Sequence, residues 1–309
     1  GLFEPVALCS ASGLSARQAG EKWGFATIAS DEAVVVGDPR VRVVFVLTRH
    51  DEHARQVVMA LKAGKSVFCE KALALTEEEL ADIEAALASP EAERSLLMVG
   101  FNRRFSPAAR AVRSFFEDVA GPKTVTIRFN AGAVGSEHWT QVDAVGGGRL
   151  VGEGCHAIDL ATFLIGSPPV RVYAESVGGG PPPPVSDDQA FITLRHADGS
   201  VSSVAYLAGG DRAFPKERVE VFGGGRVAVI DDFREVLLCT GGRKRRQTMR
   251  QDKGHLAELE ALAGALGSAG PAPIPWADIR SVSLSAILAV RSLREGIPFD
   301  VPRAPGMLA

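Results

Sequence analysis

The chain carries the sequence Val-Phe-Cys-Glu-Lys at residues 67–71, an apolar strand that ends in a carboxylate and an amine side by side. Residues 41–47 upstream are almost continuously apolar, as expected for a strand buried on both faces of a parallel sheet, and a polar run follows at 48–53. Apolar residues at helical spacing then continue to Gly64, where the helix should end. Strand, helix and strand within about thirty residues predict a βαβ unit. Ligands bind such sheets beyond the carboxyl ends of the strands, so we expect the functional site at that edge.

The composition is that of an ordinary globular protein: 46% of the 309 residues are apolar, 23% are charged and the net charge is −3. This balance gives no indication of a nucleic-acid or anionic-membrane partner. The basic run at residues 243–246 follows Gly241-Gly242, and we interpret it as a solvated hairpin. No apolar stretch is long enough to cross a bilayer, and no signal peptide is visible. The four cysteines lack metal-type or Cys-x-x-Cys spacing, which favours reduced thiols, no metal site and a cytoplasmic location.

The periodicity of the apolar residues changes near Gly121-Pro122. Before this point buried runs alternate with helical segments, whereas from Val125 to Phe129 apolar and polar residues alternate, as in a sheet with one wet face. Further strand-like runs lie near 170–177, 188–195, 201–207, 217–222 and 226–239, and helical segments near 149–165, 254–267 and 276–295. We therefore predict an α/β chain with an incomplete Rossmann-like parallel sheet at residues 1–120 and a C-terminal α+β domain with a large, mostly antiparallel sheet at residues 121–309.

The glycine loop of a dinucleotide-binding fold is missing from its usual place. Such a fold opens with a strand, Gly-x-Gly-x-x-Gly and a helix, but nothing of that kind precedes the strand-like residues 6–9. The glycines at 223–225 are predicted to form a hairpin turn, and those at 178–180 begin a proline-rich surface loop. Two interpretations stay open: the sequence is a fragment without its first βα unit, or the protein has lost that unit.

A second polar constellation lies in residues 146–160, which run from a glycine-rich loop into a helix. Glu153, His156 and Asp159 recur every three residues and therefore lie on one side of that helix. An imidazole flanked by two carboxylates is a suitable proton-transfer group, because each carboxylate stabilises the imidazolium. The alternative interpretation is a histidine that is satisfied by a neighbouring aspartate and takes no part in chemistry.

Four motifs occur in order along the chain: Thr48…His53, residues 63–71, residues 100–105, and Gly146-Gly147-Gly148 followed by His156-x-x-Asp159. In this arrangement the chain resembles the glucose–fructose oxidoreductase/inositol dehydrogenase/MocA family over nearly its whole length, except for the first βα unit. Residues 101–107, 130–132, 138–139 and 152–156 resemble the branch in which this module follows an alcohol-dehydrogenase-like domain in one polypeptide. The resemblance therefore implies an N-terminal partner domain of that kind.

The resemblance also implies a nicotinamide-dependent oxidoreductase that transfers a hydride between NAD or NADP and a sugar, a polyol or a sugar derivative. In the family, the lysine that corresponds to Lys71 contacts the substrate hydroxyl and assists proton transfer, and the histidine that corresponds to His156 shares this role. Asp159 is then the residue that orients His156. The alternative for Lys71 is a surface lysine that pairs with Glu70.

The sequence departs from the family pattern in three ways. Ala72 stands where the family has a proline after its lysine, which predicts a more loosely placed Lys71. Gly152 stands where the family often has an aspartate, and Glu153 next to it would point about 100° away on a helix. Two interpretations follow: Lys71 and His156 transfer the proton with Asp159 as the orienting residue, or the site is impaired. The missing glycine loop removes the backbone donors that hold a dinucleotide pyrophosphate, a deficit that alone could abolish cofactor binding by the chain as given.

We predict cofactor contacts at the ends of the parallel strands, by Ser10, Ser12, Arg17, Thr48, His53, Glu70 and Lys71. An acidic residue after the second Rossmann strand would select NAD. Serines stand there instead, with an arginine nearby, so the prediction leans slightly toward NADP, and a plain turn is an equally good interpretation. The predicted substrate-lining residues are Arg103, Arg104, His138, Trp139, Arg149 and Glu153. The several cations among them would suit an anionic sugar or a nucleotide sugar.

Three functions stay open from the sequence. The first is the oxidoreductase, with homo-oligomers formed through the sheet of the second domain, as is common in the family. The second is a non-redox, degenerate family member that serves as a binding or assembly module and is indifferent to nicotinamides. The third is an enzyme in which transient oxidation drives elimination or glycoside cleavage while the cofactor is recycled.

Overall fold

The computed structural model describes residues 1–10, 12–177 and 188–303 of the chain. The predicted proline-rich loop after residue 177 lies outside the described residues. Within these ranges, no helix combines the length and the apolar character needed to span a membrane.

The first half of the chain alternates strands with helices. Its elements are β1 (Ala7–Cys9), α1 (Gly13–Trp23), β2 (Thr27–Ala29), α2 (Glu32–Gly37), β3 (Val43–Val46), α3 (His50–Lys62), β4 (Ser66–Cys69), α4 (Glu77–Leu87), β5 (Leu97–Val99) and α5 (Pro107–Phe115). β4 is the middle strand of the parallel sheet β3-β4-β5, and all four of its residues are buried. The apolar run that predicted this strand is therefore covered on both faces, with α3 packed against it.

The parallel strands form two separate sheets. β1 pairs with β2, whereas β3, β4 and β5 form the other sheet. In a doubly wound dinucleotide-binding fold with strand order 3-2-1-4-5-6, the first strand lies between the second and the fourth. The observed order β2-β1, break, β3-β4-β5 matches this order, with no strand of the described residues in the first position. The predicted incomplete Rossmann-like sheet is thus confirmed, and Phe3 bridges the break by packing edge-on against Phe45, with 5.0 Å between ring centroids.

The second half of the chain is built on one large sheet. Its elements are β6 (Thr124–Asn130), α6 (Asp143–Gly146), α7 (Cys155–Ile165), β7 (Pro169–Ser176), β8 (Gln189–His196), β9 (Val201–Leu207), β10 (Glu217–Gly223), β11 (Arg226–Asp231), β12 (Glu235–Thr240), β13 (Arg243–Thr248), α8 (His255–Ser268), α9 (Trp276–Glu295) and β14 (Phe299–Asp300). In the described part of the chain the strand order is β13-β12-β11-β10-β6-β9-β8-β7-β14. The pair β6–β9 is parallel and the other neighbours are antiparallel, which confirms the predicted mostly antiparallel sheet.

Glycine turns connect neighbouring strands of this sheet. The predicted hairpin turn joins β10 to β11, where Gly224 and Gly225 have φ of 53° and 72°, a conformation that other residues rarely adopt. The basic run at 243–246 forms most of the edge strand β13, and its side chains are exposed, which confirms the solvated hairpin. The strand-like run predicted at 226–239 is divided into β11 and β12 by a turn at residues 232–234.

Helices α7 and α9 pack together, and both contact the large sheet. Every residue of α7 except Phe163 is buried, because apolar residues surround most of this helix. A π-helical turn, Leu150–Gly154, leads directly into α7. This turn carries Gly152 and places it within reach of the first half of the chain.

A buried ion pair ties the two halves together. Arg103, in the turn after β5, binds the two carboxylate oxygens of Glu217 at 2.6 and 3.0 Å, and Lys253 binds the same carboxylate at 2.6 Å. Glu217 is 1% exposed, so no water compensates these charges. Removing one member of such a cluster leaves the opposite charge buried and unpaired.

We expect Glu217→Ala to lower the free energy of unfolding by about 3–5 kcal/mol. Equilibrium unfolding in urea, followed by circular dichroism, measures this loss. Glu235→Ala is the control, because Glu235 pairs with Arg246 at 3.4 Å in a largely solvated position and its removal should cost less than about 1 kcal/mol. Equal losses in the two variants would contradict the stabilising role assigned to the buried cluster.

Candidate active site

A cluster of polar side chains lies at the carboxyl edge of β3 and β4. These strands pair in parallel, with Val46 opposite Cys69, so the segments that follow them emerge side by side. His50 begins α3 shortly after β3, and Lys71 follows β4 by two residues. This is the edge at which parallel α/β sheets bind ligands.

Lys71 reaches from this edge to the second half of the chain. Its Nζ donates a hydrogen bond to the Gly152 carbonyl oxygen at 2.8 Å. Gly152 lies in the π-helical turn, four residues before His156. The structure therefore brings Lys71 to the segment that carries His156, although the two residues are far apart in the sequence.

His53 holds the loop that carries Lys71. Its Nδ1 lies 2.7 Å from the Ala72 carbonyl oxygen and its Nε2 lies 3.0 Å from the Thr48 carbonyl oxygen. The peptide bond between Lys71 and Ala72 is cis. The loop is thus fixed on one side by His53 and on the other by the Lys71–Gly152 bond, although Ala72 replaces the proline of the family. Because both ring nitrogens of His53 lie at hydrogen-bond distance from backbone carbonyl oxygens, the structure gives it a role in positioning this loop, and its contact with a cofactor stays a prediction.

His156 is a buried and neutral imidazole. Burial, together with the positive charges of Arg103 and Lys71, holds the pKa of His156 well below its usual range. Its Nδ1 is buried and has no hydrogen-bond partner among the described residues. The ring packs edge-on against Phe101, with 6.3 Å between centroids. A buried ring nitrogen without a partner, close enough to Lys71 to feel its charge, is the kind of polar atom that a bound ligand satisfies.

Asp159 does not orient His156. Its carboxylate accepts three hydrogen bonds of 2.5 to 3.1 Å from the Arg104 guanidinium, and the residue is fully buried. Arg104 also binds Asp278 at 3.2 Å. This arrangement corrects the predicted role: Asp159 is a structural partner of Arg104, and no carboxylate on α7 is left to polarise the imidazole.

The three arginines predicted to line a substrate pocket face inward instead. Arg103, Arg104 and Arg149 are each 6% exposed. Their guanidinium groups bind, in this order, Glu217, Asp159 and Glu153. Arg149 also donates to the Gly132 carbonyl oxygen at 2.7 Å. Because these charges are neutralised inside the protein, the reason for predicting an anionic substrate disappears.

Glu153 is a structural carboxylate as well. Lys216 donates to it at 2.5 Å, Arg149 at 3.0 Å, and the Tyr206 hydroxyl donates to the same group. Burial raises the pKa of Glu153, but these partners outweigh it and hold the pKa at about 2. Glu153 is therefore ionised and fully occupied, which corrects its predicted place among the substrate contacts.

The loop that carries His138 and Trp139 crosses back to the strand edge. The Trp139 ring packs edge-on against His50, with 4.8 Å between centroids, and the Arg49 guanidinium lies 5.7 Å from the same ring. His138 is exposed and bonds to the Thr140 hydroxyl at 2.8 Å. Trp139 therefore forms part of the wall of the site, whereas His138 lies on the surface.

The remaining residues predicted to bind a cofactor fall into two groups. Ser10, Ser12 and Arg17 belong to the β1–β2 sheet and its first helix, and exposed Arg17 pairs with Glu21 at 3.0 Å. Thr48 and Glu70 lie at the edge of the other sheet, beside Lys71. The Thr48 hydroxyl donates to Gln56 at 2.7 Å, and the Glu70 carboxylate lies over Gly100, where an added Cβ would come within 3.2 Å of it. Their cofactor contacts stay predictions.

Two residues near the site were not predicted from the sequence. His50 belongs to the polar run after β3, so the signal was present but was assigned to Thr48 and His53. Glu258 lies in the first turn of α8, and nothing in the local pattern distinguishes it from an ordinary exposed helix residue. It is only 3% exposed, and its Oε1 has no hydrogen-bond partner in the described residues. Burial and the nearby charges of Glu70 and Asp159 raise the pKa of Glu258 to about 9.

A neutral Glu258 makes the free energy of unfolding depend on pH. The group binds its proton more tightly in the folded state than in the unfolded state, where the pKa is 4.5. The free energy of unfolding should therefore fall as the pH rises from 4.5 to about 9, by at most about 1.4 kcal/mol per pH unit. We expect Glu258→Gln to flatten this decline, measured by urea unfolding at several pH values. Glu260→Gln, on the exposed face of the same helix, should leave it unchanged, and parallel curves for wild type and Glu258→Gln would contradict a neutral Glu258.

Two family models match the chain. One, described as an oxidoreductase family with an NAD-binding Rossmann fold, matches residues 2–101, and the GFO/IDH/MocA C-terminal domain matches residues 112–225. The chain belongs to this family of oxidoreductases, which confirms the predicted family and the predicted class of protein.

Named relatives show what kinds of enzyme the chain is similar to. Levoglucosan dehydrogenase of Pseudarthrobacter phenanthrenivorans is 28% identical over 61% of this chain and 55% of its own length, so the chain spans about half of that protein. Inositol 2-dehydrogenase of Rhizobium meliloti is 28% identical over 82% of this chain and 79% of its own length. A solved structure of levoglucosan dehydrogenase with NADH and levoglucosan superimposes with a TM-score of 0.82 at 24% identity, covering 96% of this chain and 90% of that one. This last likeness shows the fold.

The residues at the strand edge suit the nicotinamide end of a dinucleotide. The Lys71 amine lies at this edge, and the unpartnered Nδ1 of His156 belongs to the segment that Lys71 contacts, so both groups are candidates for contact with a ligand there. Thr48 and Glu70 would hold the ribose and the carboxamide nearby. Among the described residues no Gly-x-Gly-x-x-Gly loop lies at the break between β1 and β3, where such a loop supplies backbone donors to a pyrophosphate.

Proposed function

We propose that this chain forms the catalytic part of a nicotinamide-dependent dehydrogenase that oxidises a hydroxyl group of a sugar or polyol. The observation that carries the proposal is the bond between Lys71 Nζ and the Gly152 carbonyl oxygen, which holds an amine beside the His156 segment at the ligand-binding edge of a parallel sheet. The names of the relatives, levoglucosan dehydrogenase and inositol 2-dehydrogenase, support the substrate class.

Lys71, His156 and Gly152 have different roles at the reacting hydroxyl. When bound, the oxidised nicotinamide supplies the acceptor for the hydride that leaves the carbinol carbon. In its neutral form the Lys71 amine accepts the hydroxyl proton as the carbonyl forms, and the resulting ammonium group returns that proton in the reverse direction. Neutral His156 hydrogen bonds to the same oxygen and keeps the substrate carbon oriented. The Gly152 carbonyl oxygen fixes the amine, and the buried surroundings of His156 exclude water.

The choice between NAD and NADP belongs to this proposal. Ser10 supplies no carboxylate to repel a 2′-phosphate, and Arg17 is the nearby cation in the sequence. The NADH-bound structure of levoglucosan dehydrogenase supports NAD. We propose that both cofactors are used, with a slight preference for NADP inferred from Ser10 and Arg17.

A dehydrogenase assay tests the proposal directly. The protein is incubated with NAD⁺ or NADP⁺ at millimolar concentration and with a panel of polyols that includes myo-inositol and levoglucosan, and the absorbance of the reduced cofactor is followed. We expect reduction with at least one neutral polyol. Absence of reduction with both cofactors and the whole panel would overturn the proposed activity.

A second candidate function is assembly through the outward face of the large sheet. Phe191 on β8 and Phe222 on β10 are 52% and 42% exposed there, among polar side chains of the neighbouring strands. Exposed aromatic residues on a broad sheet suit association with a second copy of the chain. Sedimentation of the wild type and of Phe191→Ser measures this, and a monomeric wild type would overturn it. The alcohol-dehydrogenase-like partner domain and the cytoplasmic location stay predictions.

A further inference from the structure

The His50 imidazole lies at the candidate active site but has no part in the proposed proton transfer. His50 begins α3 after strand β3, so its side chain starts from the same sheet edge as Lys71. The residue is only 3% exposed. A buried imidazole in this position has a definite hydrogen-bonding state that can be read from its contacts.

One hydrogen bond fixes the tautomer of His50. Its Nδ1 lies 2.8 Å from the Gly146 carbonyl oxygen, and because a carbonyl oxygen only accepts, Nδ1 carries the hydrogen. Burial, helped by the positive charges of Lys71 and His53, lowers the pKa of His50 to about 4. The ring is therefore neutral at pH 7 and has its lone pair on Nε2.

The other charged groups on the elements around His50 do not change this state. Arg49 lies over the ring of Trp139, the residue that packs edge-on against His50. Helix α6 contributes Asp143, whose carboxylate binds Arg294 at 3.0 Å. Arg49 is a cation, and the Asp143 carboxylate is paired with Arg294, so neither group favours a protonated imidazole.

Gly152 is a contact shared by His50 and Lys71. A Cβ at position 152 would lie 2.6 Å from Cε1 and 3.3 Å from Nδ1 of the His50 ring, so the ring fills the space that a side chain there would need. The carbonyl oxygen of the same glycine accepts the Lys71 hydrogen bond at 2.8 Å. The imidazole and the amine therefore lie against one backbone residue.

The Nε2 lone pair of His50 is left for a ligand. In the described part of the chain, Nε2 has no hydrogen-bond partner, while Nδ1 is held by Gly146 and the ring is held edge-on by Trp139. The ring cannot turn to change its tautomer without losing the Gly146 bond. A fixed, neutral acceptor beside an amine suits two neighbouring hydroxyl groups, of which one donates to Nε2 and the other contacts the amine.

We propose that His50 is a substrate-binding residue whose Nε2 accepts a hydrogen bond from a hydroxyl group of the sugar or polyol, next to the oxygen that Lys71 contacts. The inference rests on the proposed function for the identity of the ligand. It also specifies the chemical group that binds Nε2, a hydroxyl, because ionised carboxylates and phosphates have no hydrogen to donate.

The first test needs no turnover. Long-range ¹H–¹⁵N NMR spectra of the ¹⁵N-histidine-labelled protein should show His50 as the neutral Nδ1–H tautomer down to about pH 5. Lys71→Met should raise the pKa of His50, whereas Lys62→Met, which removes an exposed lysine at the far end of α3, should not. An Nε2–H tautomer, or a His50 titration that is the same in all three proteins, would overturn the inference.

The second test measures binding of the substrate. With myo-inositol or levoglucosan, whichever the wild type oxidises faster, His50→Phe should raise KM on the order of tenfold while kcat changes much less, because an interaction with a non-reacting hydroxyl is lost. His50→Gln keeps an acceptor oxygen and should restore most of the affinity. An unchanged KM for His50→Phe in a protein that unfolds at the wild-type temperature would overturn the inference. A wild type without any turnover would refute the proposed function, and the NMR result would then decide the state of His50 alone.

Discussion

Replacement of Lys71 by methionine should lower kcat for polyol oxidation by about 10²- to 10⁴-fold, the range that a positioned proton-transfer group contributes. Methionine keeps an unbranched apolar stem, but it cannot accept a proton or donate to the Gly152 carbonyl oxygen. Lys71 is only partly buried, so the change should leave the fold intact. Steady-state kinetics at saturating cofactor measures the effect, and thermal unfolding confirms the fold.

Lys62→Met is the matched control for this variant. Lys62 ends α3 and is exposed, so its removal takes away the same charge from the same half of the chain. We expect its kcat to stay within about twofold of the wild type. If Lys71→Met retained wild-type kcat, the amine would have no part in proton transfer, and the non-redox interpretation of the chain would gain support.

Adding the missing strand should strengthen NADH binding by a large factor. The break between β1 and β3 lies where the first strand of a dinucleotide-binding sheet belongs, and that strand normally leads into the glycine loop that binds the pyrophosphate. Two backbone hydrogen bonds to a charged phosphate contribute about 3–6 kcal/mol, which corresponds to about 10²- to 10⁴-fold in Kd. We therefore expect the 309-residue chain to bind NADH weakly, and a protein extended before residue 1 by a strand, Gly-x-Gly-x-x-Gly and a helix to bind it far more tightly.

Calorimetric titration with NADH measures both affinities. The control extension has the same strand and helix but valine in place of the loop glycines, because side chains there keep the backbone away from the pyrophosphate. We expect this control to bind as weakly as the chain alone. Equal and tight binding by the chain alone and by the extended protein would contradict the interpretation of the sheet break.

The fold was predictable from the sequence because its signals are local. The almost continuous apolar run at 41–47 and the run at 67–69 are typical of strands of a parallel sheet, and the alternation that begins at Val125 is typical of a sheet with one exposed face. Paired glycines marked the hairpins β10–β11 and β12–β13. The separation of β1–β2 from β3-β4-β5 agrees with the prediction of an incomplete sheet, since the first strand of a dinucleotide-binding fold would lie between them.

The candidate site was predictable only in part, because side-chain partners are set by tertiary packing. The sequence placed Lys71 and His156 in one site from family resemblance, and the Lys71–Gly152 bond brings their segments together. The helical spacing of His156 and Asp159 suggested an interacting pair, yet the Arg104 guanidinium, which comes from a distant segment, takes the carboxylate. Spacing on one helix cannot reveal a partner supplied by another element.

Gly152 departs from the family pattern, and the structure gives a physical reason for a glycine at this position. From the sequence, the glycine in place of an acidic residue suggested an impaired site. In the structure, the His50 ring fills the space beside Gly152, so a neutral imidazole stands where a charged side chain would otherwise lie. The arginines that suggested an acidic substrate are paired inside the protein, which is consistent with a neutral polyol.

Transfer of deuterium from a carbon-deuterated polyol to the cofactor tests the central claim most directly. The protein is mixed with saturating NAD⁺ and with whichever of myo-inositol and levoglucosan reacts faster, and the reduced cofactor is analysed by mass spectrometry after a single turnover. If Lys71 accepts the hydroxyl proton while hydride leaves the carbinol carbon, each reduced cofactor carries one deuterium, and Lys71→Met forms almost none in the same time. Reduced cofactor without deuterium, or equal labelling by Lys71→Met, would contradict this account.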